Sequence, residues 1–177
     1  MATPTRSIVD RMKGAALLDV PTYEEVEADT TATGQAAVVV GIVAVCSAIG
    51  AIGRGGAGII GALIGAFVGW LLWAGITYLI GDKVLKGTAT WGELLRTLGF
   101  AQAPGVLLIL GIVPVIGRLV LFVVWIWTLV TGIIAIRQAL DFSTGKAVAT
   151  ALLSGLAMLI LGLLLSGLGV GGLGMTR

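Results

Sequence analysis

Histidine and asparagine are absent from these 177 residues, cysteine occurs once, and charged residues make up only 11%. Each shortage closes a class of chemistry. Without histidine there is no Ser-His-Asp or Cys-His nucleophile pair, no zinc helix of the His-x-x-x-His kind, no histidine-ligated haem and no near-neutral proton shuttle. A lone Cys46 excludes an intrachain disulfide and a cysteine-cluster metal site. Without asparagine there is no N-glycosylation acceptor. No catalytic residue, cofactor or metal is therefore expected. What remains is 58% hydrophobic and contains 28 glycines, with a mean hydropathy of +1.09. Soluble domains carry charge on about a quarter of their residues. This composition belongs to a chain dissolved in lipid.

The few charges divide the chain. Residues 1–29 are net acidic, with Arg6, Arg11 and Lys13 against Asp10, Asp19, Glu24, Glu25, Glu27 and Asp29, and the remainder is net basic. The basic residues stand at the ends of apolar stretches and form no run, so nucleic acid is not an expected partner. Uncharged stretches cover 30–53, 55–81, 97–117, 119–136 and 147–176. About 20 apolar residues cross the roughly 30 Å of hydrocarbon, so each is a candidate span. Read as one helix, 98–137 would be about twice too long. Pro114, Gly117 and Arg118 supply the expected turn between two spans, with Arg118 at the interface and not in mid-bilayer.

Lysine and arginine fix the orientation. With the N-terminus inside, the inner segments hold Arg6, Arg11, Lys13, Lys83, Lys86, Arg96, Arg137 and Lys146, and the outer ones hold Arg54, Arg118 and Arg177. The positive-inside rule predicts a cytoplasmic N-terminus and an outer C-terminus in the plasma (inner) membrane. The first apolar run follows an acidic patch, the wrong order for a signal peptide, and Met1-Ala2 is no myristoylation signal.

Three short segments read as surface structure. Residues 6–16 place Ile8, Val9, Met12, Ala15 and Ala16 on one helical face, with Asp10, Arg11, Lys13 and Gly14 opposite. This is either an interfacial anchor or a weakly ordered terminus. Thr22-Tyr23-Glu24-Glu25 fits a capping box, and the acidic cluster around it reads as a solvated face, with a basic partner or a divalent cation as the sharper alternative. Thr90-Trp91-Gly92-Glu93 fits a second box. It opens a helix expected to lie in the inner interface, with Trp91, Lys83, Lys86 and Arg96 at lipid headgroup level, before a turn at Ala103-Pro104.

Gly53-Arg54-Gly55-Gly56-Ala57-Gly58 matches a dinucleotide fingerprint in spacing, but spans flank it where a strand and a soluble helix are required. The Gly145-Lys146 pair lacks the rest of a phosphate loop, and Ser143 reads better as a helix N-cap. The glycines that carry a pattern are Gly61, Gly65 and Gly69, four apart on one helix face, where another backbone can come close. Gly41 belongs to a similar stripe in the first span, and Gly155 and Gly162 to one in the last. Packing within one bundle is the plain reading and self-association the sharper one. Trp125 and Trp127 lie deep, either in an aromatic seam or against a pigment, lipid tail or quinone. No Asp, Glu, Lys or Arg lies inside a span, which argues against an ion-coupled transporter.

The order of an acidic lead with Tyr23-Glu24-Glu25-Val26, a small-residue hairpin, an amphipathic segment ending at Ala103-Pro104, two close spans and then 137–147 resembles the Yip-domain family, in its bacterial branch, over roughly 16–168. The resemblance implies five helices, a cytoplasmic N-terminus and no known chemistry. Eukaryotic members associate with Rab-type GTPases in membrane traffic. The lead here is short, that role is not carried over, and no family site maps onto named residues. The expected fold is all-α and polytopic: a cytoplasmic segment 1–34, a five-helix domain 35–170 and an outer tail 171–177. The expected function is a non-enzymatic membrane scaffold or accessory subunit acting through helix packing, with other membrane proteins or a second copy as partners. A channel or facilitator for a neutral solute is the alternative.

Overall fold

In the computed structural model, which describes residues 6–52 and 58–167, all regular structure is helical. The expected glycine turn at 53–57 and the tail 171–177 lie outside the described residues, as does the end of the last span. The elements are α1 (Ile8–Ala16), α2 (Val20–Ala28), α3 (Ala32–Gly50), α4 (Gly58–Tyr78) continuing into a π-helical segment (Leu79–Val84), α5 (Trp91–Phe100), a 3-10 segment (Ala103–Ile112), α6 (Pro114–Ala139) and α7 (Thr144–Gly167). Four helices are long and apolar enough to cross a membrane: α3, α4 with its extension, α6 and α7. The candidate fifth span is a bent pair, α5 plus the 3-10 segment, meeting at 40°. Five spans are found when that pair is counted as one.

The lead is not a solvated flap. Ser7 caps α1 by accepting from the Asp10 amide, and Leu18, at a φ of 63°, reverses the chain into α2. The expected box at Thr22 does not form. Pro21 instead takes the first turn of α2, where its missing N–H is not needed, so Thr22 is already inside the helix and donates to Asp19. Arg11, placed by periodicity on the polar face of α1, is fully buried. Its guanidinium meets Glu25 at 2.9 Å and Asp29 at 2.6 Å, and donates to Gln35 at 2.9 Å. The Thr31 hydroxyl and Arg11 hold the Asp29 carboxyl below its ordinary range. Part of the acidic cluster is thus the counter-charge of one arginine that ties α1, α2 and α3 together. α1 is anchored at its far end too: Tyr23 donates to the Ala15 carbonyl at 2.9 Å and Trp127 of α6 to the Ala16 carbonyl at 2.7 Å.

α5 starts as expected, with the full capping box of Thr90 and Glu93. Its apolar face is then covered by protein. Leu94, Leu98, Gly99 and Phe100 are buried between the spans, and Trp70 of α4 donates to the Leu95 carbonyl at 3.0 Å. The expected turn at 114–118 is also displaced. The chain reverses at Val113, extended as a residue before proline must be, and Pro114 opens α6. Gly117 and Arg118 lie inside that helix, with Arg118 exposed on its first turns. At the other end Ser143 directly precedes α7, its hydroxyl facing the Lys146 amide.

Two outcomes test the lead. Arg11→Ala leaves Asp29 without its cation and Glu25 with Arg6 alone; it is expected to cost about 3 kcal/mol and to open α1 to limited proteolysis in detergent. Glu27 is pushed up to about 7, first by burial and then by Glu93 and Asp141, so the folded state favours its neutral form. Its contribution to stability is complete below about pH 4.5, its ordinary value, and is lost as the pH rises through about 7. Glu27→Gln is expected to flatten that fall in a melting series from pH 4 to 9, and to exceed the parent above pH 7 by roughly 1 kcal/mol after allowing for water access.

Candidate functional site

The break in the fifth span organises the candidate site. Pro104 lacks the amide that would continue α5 and its ring crowds the carbonyl four residues back, so the helix stops at Phe100. Ala101 and Gln102 form the bend. The freed Ala101 carbonyl accepts from Thr131 of α6 at 2.6 Å. The 3-10 segment then runs about 20 Å and packs closely on α3. A methyl at Gly105 would meet the Val43 side chain, and one at Gly50 would run into the backbone carbonyl of Leu108. Non-α backbone is tolerated at membrane depth only where protein covers it or where it lines a cavity. Both hold here.

The cavity is a groove of about 740 Å³ walled by α4, α6 and α7, with Gln102 of the bend in its lining. Gly65, Gly69 and Trp73 line it from α4, Trp125 and Thr128 from α6, and Gly155 from α7. These positions fall near the middle of their helices, so the groove is level with the centre of the spans. No charged residue lines it. Among the described residues no set of His, Cys, Asp and Glu is placed to hold a metal ion.

The residues singled out from sequence separate into four groups. Gly41 brings α3 to α4, in ordinary contact with Phe67 at 3.8 Å. Gly65, Gly69, Gly155 and Gly162 have nothing within 4 Å of an added methyl, and Gly61 is exposed. Trp91, Lys83 and Lys86 are exposed at one end of the bundle, with Lys83 paired to Asp82 at 2.7 Å and 5.0 Å above the Tyr78 ring. Arg96, expected among headgroups, is only 6% exposed. Its Nε donates to the carbonyls of Val26 and Glu27, each at 3.1 Å, and fastens α2 to α5.

The close backbone approaches fall at other glycines. A methyl at Gly99 would sit 2.8 Å from the Ala36 methyl, and one at Gly132 would press on the Trp73 ring at 3.1 Å. Neither glycine belongs to the four-residue repeats, which is why periodicity passed them over. Gln102 was visible only as one scattered polar residue. The signal that could have found it is its place two residues before Pro104, at the centre of an apolar stretch.

Gly99→Ala is accordingly expected to cost about 1 to 3 kcal/mol by overpacking. Gly65→Ala should stay within about 0.5 kcal/mol of the parent. Melting of the two variants in one detergent compares them directly.

No curated protein matches the chain, and no solved structure does. The Yip1 domain profile matches residues 17–166, from the residue after α1 to the last turn of α7, and takes in α2, the broken span and all the groove. The chain belongs to the Yip1 domain family of membrane proteins.

Proposed function

We propose that this protein works by contact within the bilayer, as a non-enzymatic scaffold or accessory subunit of a larger assembly in the plasma membrane, with its N-terminal lead on the cytoplasmic side. The observation that supports this most is how unevenly the spans are covered. One third of the spanning window of α3 is buried, 33%, against 11% for α4 and for α7. The open faces of α4 and α7 carry Gly61 and Gly162: both are exposed, neither lines the groove, and a methyl added at Gly162 would meet nothing within 4 Å. Without a hydrophobic drive between helices in lipid, small residues are where a partner helix gains contact, through close backbone approach. The uncharged spans and the missing histidine fit a role without proton transfer or nucleophilic chemistry.

The test is co-purification in a gentle detergent with Gly61→Leu and Gly162→Leu together. Both sites are open, so the melting temperature of the isolated chain should not move. A defined set of membrane partners, or the dimer, is expected to be lost. Retention of the same partners at parental stoichiometry would place the contact elsewhere and remove the support for this reading.

A further inference from the structure

The groove presents more hydrogen-bonding capacity than the protein uses. Among the described residues, the Trp70 indole is engaged by the Leu95 carbonyl, the Trp127 indole by the Ala16 carbonyl, and the Thr131 hydroxyl by the Ala101 carbonyl. Four polar side chains that line the groove have no such partner: the Gln102 carboxamide, the Thr128 hydroxyl and the indole N–H groups of Trp73 and Trp125. Unpaired polar groups are costly where hydrocarbon replaces water.

The inventory is lopsided. A carboxamide offers two N–H donors, and a hydroxyl and two indoles offer one each, while only the amide and hydroxyl oxygens accept. A matching occupant is rich in acceptor oxygens. It is also neutral, because no charged residue lines the groove. The aromatic walls favour a flat ring over a branched polar head, and the volume of about 740 Å³ lies in the range of small-molecule sites.

We propose that the groove binds a neutral, lipid-soluble molecule with a flat carbonyl-bearing ring, of the alkyl-quinone class. Gln102 and Thr128 donate to its carbonyl oxygens, Trp73 and Trp125 flank the ring, and the chain lies toward the bilayer. This is binding without electron transfer. It does not depend on a partner helix at Gly61 and Gly162, so either proposal can fail alone.

The test uses the purified full chain in phosphatidylcholine nanodiscs with a decyl-benzoquinone as probe, followed by tryptophan quenching and by native mass spectrometry. Saturable binding of one probe per chain is expected. Gln102→Leu combined with Thr128→Val should weaken it at least tenfold, and Trp125→Leu severalfold. Ile160→Ala, outside the groove, should leave it unchanged. Should Gln102→Leu fail to fold, the isosteric Thr128→Val alone is expected to weaken binding about fivefold. Uptake no greater than in empty nanodiscs would overturn the proposal. So would parental affinity in a folded Thr128→Val variant, or equal competition by decylbenzene, which has no carbonyl, or by dioleoylglycerol, whose carbonyls are esters.

Discussion

A carbonyl that loses its helical partner where packing excludes water must find a donor on the protein. Much of this molecule answers that constraint. Thr131 closes the Ala101 carbonyl, whose helical donor Gly105 turns to Gln102 at the bend, Trp127 reaches the end of α1 at Ala16, and Arg96 spans the carbonyls at the end of α2. Each bond also joins two elements. α5 is held to α6, α1 to α6, and α2 to α5. Several of the strong donors that the sequence retains are used where backbone would otherwise go unsatisfied, and the same bonds assemble the bundle.

Glycine divides its work along similar lines. Gly50, Gly99 and Gly105 admit neighbouring backbone or side chains that a methyl would displace, and so let the broken span lie against α3 and α4. Gly65, Gly69 and Gly155 do the reverse and leave volume open, forming a groove beside the bend. The two uses share one residue type and opposite geometry. A spacing of four identifies a helix face, but not whether that face is covered.

This explains which parts were legible from sequence. Apolar length located the spans, and the Thr90 box marked the start of α5 correctly, because both are local properties. Hydropathy could not separate a 3-10 segment from an α-helix over 103–112, since the two share composition and differ in hydrogen-bond register. Nor could periodicity place Arg11. Its face is decided by Glu25, Asp29 and Gln35, 14 to 24 residues away, and a buried ion pair overrides a weak amphipathic pattern. Gln138 of α6 and Glu24 of α2, 3.2 Å apart across 114 residues, are beyond any local rule.

The fastening of α2 through Arg96 has a consequence for how this sequence can change over time. The guanidinium grips main-chain oxygens at positions 26 and 27 and hydrogen-bonds neither side chain there, its charge acting on Glu27 only through space. Every residue type presents the same carbonyl. The side chain of Glu27 is therefore free to drift, or to be selected for another purpose, without loosening the clasp, while the arginine that makes the clasp is not.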